Sequence, residues 1–225
     1  MELGISAQRP RRDNSARTVY RGSVVNHLFT TPVSHVRLAP ARAELDELCE
    51  YLLDLRGNAT GLERSNRGGW HSEGNLFGKE HREFPWLRET VVQAILDYAG
   101  AALGFTGDFA FELTGWAVVN RAGDYNVPHN HNPNLISGAF YVRVPDGMQA
   151  GEIVFLDPRL NLNASVSRTL QEREQLPPWN KPSLPHAPVL GDLLLFPSWL
   201  MHYVNAFTAP DPEAERIVIS FNAAA

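Results

Sequence analysis

The stretch Gly123–Tyr141, GDYNVPHNHNPNLISGAFY, carries His129 and His131 two residues apart. In extended backbone the side chains of residues i and i+2 leave the same side, so both imidazoles can address one point in space, as metal ligands do. Downstream, Gly191–His202, GDLLLFPSWLMH, runs an apolar segment typical of a buried strand into a Pro197–Ser198 turn and then His202. Three neutral histidines drawn from two strands suit a borderline first-row metal such as iron, nickel, copper or zinc. The plainer reading is that a His-x-His pair arises by chance among 8 histidines in 225 residues, each a hydrogen-bonded core or surface group. The third histidine tips the balance toward a metal.

Outward from this stretch the chain has two textures. From Ala41 to Arg56, Leu45, Leu48, Cys49, Leu52 and Leu55 recur at helical spacing, and Gly57 is the expected stop. A second helix is expected over 85–103, with Pro85 in its first turn, Leu87, Val91, Ala94, Ile95, Tyr98 and Ala102 on its buried face, and an end near Gly104. Residues 57–83 between them are rich in Gly, Asn and Ser, and a connection this long is more often functional than idle. After Gly107 the pattern becomes β-like: 109–120, 137–144, 152–156, 191–196, 202–207 and 216–222 read as short strands split by Gly and Pro turns. Such a series predicts a mainly β fold with flanking helices, a jelly-roll or double-stranded β-helix barrel of the cupin-like kind, with the metal inside its mouth.

Residues 1–22 carry five arginines and few large apolar side chains, which reads as a mobile arm preceding a single domain over 23–225. The excursion from 157 to 188, rich in Pro, Asn and Ser and holding Trp179, is the expected place for substrate contacts, since loops over a rigid barrel usually set specificity. Hydrophobic residues at 44%, aromatics at 10% and a net charge of -5 describe a globular chain with no basic footprint for nucleic acid. Its single cysteine, Cys49, excludes an intrachain disulfide framework and reads as a small core residue. There is neither a run of about 20 apolar residues nor an apolar leader segment, so no membrane partner and a cytoplasmic location are expected, with a homodimer as the candidate assembly.

From about residue 24 onward the chain resembles a bacterial family of 2-oxoglutarate and Fe(II)-dependent oxygenases. The resemblance rests on Trp116–Asn120 running into Gly123 and His129, on SGAFYV at 137–142, FLDPR at 155–159, Gly191–His202 and RIVISFN at 216–222, and more weakly on GWHS at 69–72 and LFTTP at 28–32. The motif of that class is His-x-Asp/Glu, a distal His, and later an Arg or Lys that holds the far carboxylate of 2-oxoglutarate. His129-Asn130-His131, His202 and Arg216 stand in those places in the same order. The resemblance therefore implies Fe(II) held by His129, His131 and His202, with 2-oxoglutarate and O2 as co-substrates of a hydroxylation of a small-molecule or side-chain substrate. It also makes Arg216 the carboxylate anchor, with Tyr141, Ser220, Asn120 and Arg159 as further cofactor-binding candidates. The departure is at position 131, where the class has a carboxylate. A three-His face leaves as many open metal positions but carries one more positive charge.

Plainer roles compete at several positions. Arg216 is either the anchor or the partner of Glu213 or Glu215 in a surface salt bridge, and Tyr141 is either a co-substrate ligand or an ordinary core tyrosine. His27, His35, His81 and His186 read as structural or surface groups, while His71 is a candidate substrate or supporting group in the long loop. Two alternatives to the oxygenase are a cupin-like dioxygenase or isomerase and a metal-free binding module. The cupin spacing, Gly123 to His129-x-His131 and Gly191 to Pro197 and His202, fits well. The glutamate expected a few residues after the first pair is replaced by Leu135 and Ile136, and Trp199 stands where a glycine is usual.

Overall fold

Alternating apolar residues separated by Gly and Pro turns leave the chain after Gly107 little choice but to pair as strands, and they close around the histidines as two antiparallel sheets. The computed structural model describes residues 29–40, 42–74, 76–78, 84–159 and 181–225. The chain divides into Met1–Thr30 and Thr31–Ala225. The expected arm at 1–22 lies outside the described residues, as do His27, His81 and, in the 157–188 excursion, residues 160–180 with Trp179.

In chain order the described elements are β1 (Ser34–Arg37), α1 (Arg42–Asn58), β2 (Asn66–Arg67), β3 (Trp70–His71), α2 (Pro85–Leu103), β4 (Glu112–Asn120), β5 (Tyr125–His129), β6 (Ile136–Arg143), β7 (Gln149–Ala150), β8 (Ile153–Leu156), β9 (Ser183–His186), β10 (Asp192–Pro197), β11 (His202–Val204), β12 (Phe207–Thr208) and β13 (Arg216–Ala224). A six-stranded sheet has the order β1-β10-β6-β13-β4-β3, and a five-stranded sheet the order β2-β5-β11-β8-β9. β7 and β12 pair separately at one end. This is the mainly β, double-sheet barrel with flanking helices.

Two apolar layers result. Leu48, Cys49 and Leu52 of α1 and Leu87, Val91 and Ile95 of α2 pack on the outer face of the large sheet, against residues such as Phe140, Ile219 and Phe221. A smaller cluster between the sheets joins Tyr141, Leu194 and Phe196 to Ile153 and Phe155. α1 continues through Gly57 to Asn58, so that glycine does not stop the helix. In α2, Gly104 takes the left-handed conformation, φ 73°, that terminates a helix.

Two glycines fix how tightly the barrel closes. A methyl group at Gly138 in β6 would lie 2.6 Å from the carbonyl oxygen of Leu194 and 2.2 Å from the Phe221 ring, so the three central strands approach only because it has no side chain. Gly151, at φ 83°, turns the chain between β7 and β8, and a methyl there would come within 3.0 Å of the Arg216 guanidinium.

Candidate metal centre and co-substrate cavity

His129 ends β5 and His202 begins β11, and the two are directly opposed in the β5–β11 ladder. The register slips by one residue beyond them, between His202 and Val204, a local irregularity of the kind that re-aims side chains at barrel rims. His131 lies past the strand and is brought back by the Pro197–Ser198 turn. Its N–H donates to the Ser198 carbonyl at 2.8 Å, and the Ser198 N–H donates to Leu135 at 3.1 Å. Beneath that turn the buried Ser137 hydroxyl bonds to Ser198 Oγ and to Asn222 Oδ1, both at 2.7 Å. The apolar strand and Pro-Ser turn of the sequence thus clamp the loop that carries the second histidine.

The three imidazoles offer nitrogen atoms that all lie within 4.8 Å of one another. Nδ1 of His129 donates to the Val127 carbonyl at 2.7 Å and Nδ1 of His202 to the Leu200 carbonyl at 2.9 Å. Each bond fixes the proton on Nδ1 and leaves Nε2 with a lone pair, the arrangement that metal-binding histidines use. Nε2 of His131 stands 3.3 Å from Nε2 of His202, and the Ser65 hydroxyl stands 3.3 Å from Nε2 of His129. Burial holds the imidazoles neutral: His131 is pushed down to about 3 and His202 to about 4, with neighbouring histidines adding to the effect, and His129 is lowered too. The donor set therefore fits a divalent metal. Trp116 stacks on His131 with ring centroids 5.6 Å apart, and His71 stacks on the other side of that indole at 5.5 Å.

The histidines open into a cavity of about 480 Å³ whose walls include Tyr141, Phe196, Arg216, Val218 and Ser220 from the large sheet and Ile153 and Val204 from the small one. Arg216, Val218 and Ser220 alternate along β13, so they share one face, opposite Asn120, Val118 and Trp116 of β4. Arg216 is 3% exposed. One of its terminal nitrogens donates to the Gly151 carbonyl at 2.8 Å, its Cζ lies 5.3 Å from the Phe207 ring centroid, and among the described residues its Nε has no partner. Glu215 is taken by Arg56 at 2.5 Å and by Arg121 at 3.2 Å, and Glu213 by Arg121 at 3.1 Å. The surface salt bridge open to Arg216 on sequence grounds is thus absent, and among the described residues its buried charge has no ion pair. Burial pushes the Tyr141 phenol up to about 12, against the pull of Arg216, so it is a neutral hydrogen-bond donor.

Residues 114–222 match the family model described as "Putative 2OG-Fe(II) oxygenase". Over that stretch, a little under half of the chain, the sequence is similar to the 2-oxoglutarate–Fe(II) oxygenases. No curated protein sequence is significantly similar. Among solved structures, a prolyl-4-hydroxylase of Pseudomonas putida superposes with a TM-score of 0.58 at 13% identity, over 88% of this chain and 94% of that one. HygX of Streptomyces hygroscopicus, solved with nickel, 2-oxoglutarate and hygromycin B, gives 0.57 at 12% identity over 87% and 83%. The Trichoplax adhaerens prolyl hydroxylase, in complex with a hypoxia inducible factor peptide fragment, gives 0.56 at 16% over 85% and 82%. At these identities the likeness is one of fold.

The cupin alternative is not favoured, since the family match is to the oxygenases and the place of the cupin glutamate is occupied by half-buried Leu135 and fully buried Ile136. Of the cofactor-binding candidates expected from the sequence, Arg216, Tyr141 and Ser220 line the cavity. Asn120 faces the same side of the sheet but is not in the cavity wall; its amide, without partners, lies against Gly69. Arg159 is not among the described residues of that wall; half-exposed, it pairs with Asp157 two residues away, because a carboxylate at that spacing captures the guanidinium. Ser65, Trp116 and Phe207, which touch His129, His131 and Arg216, were not singled out in the sequence. Only Trp116 left a signal there, the two-residue spacing that sets it on the face of Val118 and Asn120.

Proposed function

We propose that the protein is a 2-oxoglutarate- and Fe(II)-dependent oxygenase in which His129, His131 and His202 hold the iron and Arg216 anchors the far carboxylate of 2-oxoglutarate. The observation that carries this reading is Arg216 itself. A guanidinium 3% exposed, with no ion pair among the described residues and an unsatisfied Nε, sits in the wall of a cavity whose mouth holds three imidazoles. An unpaired buried charge costs several kcal/mol, and a bidentate carboxylate is the partner that removes that cost. The far carboxylate of a 2-oxo diacid would supply that partner.

When bound, the iron supplies activation of O2, coupled to decarboxylation of 2-oxoglutarate, for hydroxylation of a substrate C–H bond. The protein's own groups bind and orient. Nδ1–H bonds to Val127 and Leu200 keep two imidazoles aimed into the mouth. Arg216 and the neutral Tyr141 phenol hold the dicarboxylate, while Val218, Phe196 and Ile153 keep its surroundings dry. Leu62, Arg64 and Ser65 of the loop after α1 form part of the rim where a substrate enters. A cytoplasmic, bacterial setting and a homodimer belong to the same reading; the lone, buried Cys49 is consistent with a reducing compartment.

The test is to load the protein with Fe(II) and 2-oxoglutarate under O2 and follow succinate. Slow turnover without substrate is expected, and Arg216→Gln should weaken 2-oxoglutarate by roughly 2 to 4 kcal/mol, as for truncating one partner of a buried charge pair. Absence of both 2-oxoglutarate binding and succinate formation in the metal-loaded protein would overturn the assignment.

A further inference from the structure

Outside the set of residues that line the cavity, three strands bring another set of metal-type donors together. Asp192 begins β10 with its side chain wholly buried. Its Oδ2 lies 3.0 Å from Nε2 of His35 on β1 and 3.2 Å from Nε2 of His186 on β9, and the three donor atoms are within 4.8 Å of one another. The two imidazoles meet edge to face, with centroids 4.9 Å apart, so their nitrogens converge on one oxygen. We propose that His35, His186 and Asp192 form a second divalent-metal site, of the zinc or cobalt class, that clips β9 to the β1–β10 edge.

Spacing, chemistry and access all fit. Metal–ligand bonds of about 2.0 to 2.2 Å place tetrahedral ligands roughly 3.3 to 3.6 Å apart, so small shifts of the two imidazoles suffice. Two imidazoles and one carboxylate leave a fourth position for water. His35 is 45% and His186 26% exposed over the buried aspartate, which gives an ion its way in. Arg37 pairs with the other carboxylate oxygen, the outer contact that orients a ligating carboxylate. Gly191, at φ 81°, fixes Asp192 at the strand start, because a methyl there would lie 2.6 Å from the Leu38 carbonyl oxygen. Burial alone would raise the Asp192 pKa, but the hydrogen bonds from His35, Arg37 and His186 outweigh it and keep the carboxylate ionised. β9 is the strand on which the chain returns from residues 160–180, so an ion here would hold the end of that excursion against both sheets.

Zn(II) titration of the metal-free, full-length protein tests this independently of the oxygenase centre. Wild type should take up two equivalents, His35→Gln and His186→Gln one each, and His202→Ala should keep the equivalent that those variants lose. A crystal grown with Zn(II) should show an anomalous peak between His35, His186 and Asp192. One equivalent in wild type that survives in His35→Gln, or a crystal without that peak, overturns the site and leaves Asp192 as a hydrogen-bonded ion cluster.

Discussion

His202 stands directly opposite His129 in the β5–β11 ladder, with ring centroids 4.4 Å apart, so the small sheet alone fixes two of the three proposed ligands. Strand pairing is a rigid way to hold donors, and the third, His131, depends on the Ser198 turn. Single replacement of any of the three by Ala should therefore weaken Fe(II) by more than about 100-fold, the upper range for losing an outer-shell partner alone. His131→Asp should tighten Fe(II), because a carboxylate offsets one metal charge. Metal analysis after dialysis decides both, and full occupancy in His131→Ala would show that His131 is not the third ligand.

Acid should begin to destabilise the metal-free protein in the range where unfolded histidines take up protons. His131 and His202 have folded pKa values of about 3 and about 4, against about 6.5 when unfolded. The unfolded chain thus binds protons that the folded one refuses, and stability falls as pH drops through 6.5 toward 4. Melting temperatures of the metal-free protein should decline between pH 7 and 5, and by less in His131→Gln. A flat profile over that range would contradict the burial of neutral imidazoles.

Gly138→Ala should destabilise the barrel by about 1 to 3 kcal/mol, since its methyl would press on the Leu194 carbonyl, which cannot yield without breaking a strand pair. Urea denaturation measures it, and an unchanged midpoint would mean that the strands relax freely.

Ile95→Ala in α2 should cost about 2 to 5 kcal/mol, because Ile95 is wholly buried against the large sheet. Succinate formation by the folded fraction should survive, since the helix contributes nothing to the cavity wall. Loss of activity in protein that remains folded would show that the helical layer and the cavity are coupled.

Much of the barrel is legible in the sequence for a local reason. Period-two apolar patterning and glycine or proline turns are properties of neighbouring residues, and the His129-Asn130-His131 pair is visible as a spacing, although β5 ends at His129 and the Ser198 turn places His131. What the sequence left open depends on partners far along the chain. Whether Arg216 was an anchor or a surface ion pair turned on Arg56 and Arg121, some 160 and 95 residues away, which occupy Glu215 and leave Arg216 unpaired among the described residues. Arg159 shared the same sequence promise, but it is held by Asp157 and is not among the described residues of the cavity wall. His35 and His186 read as unremarkable surface groups until β1, β9 and β10 carried them to one oxygen of Asp192. Local geometry is written in the spacing of residues, whereas charge pairing and metal convergence are decided by which strands become neighbours, and that only the folded chain settles.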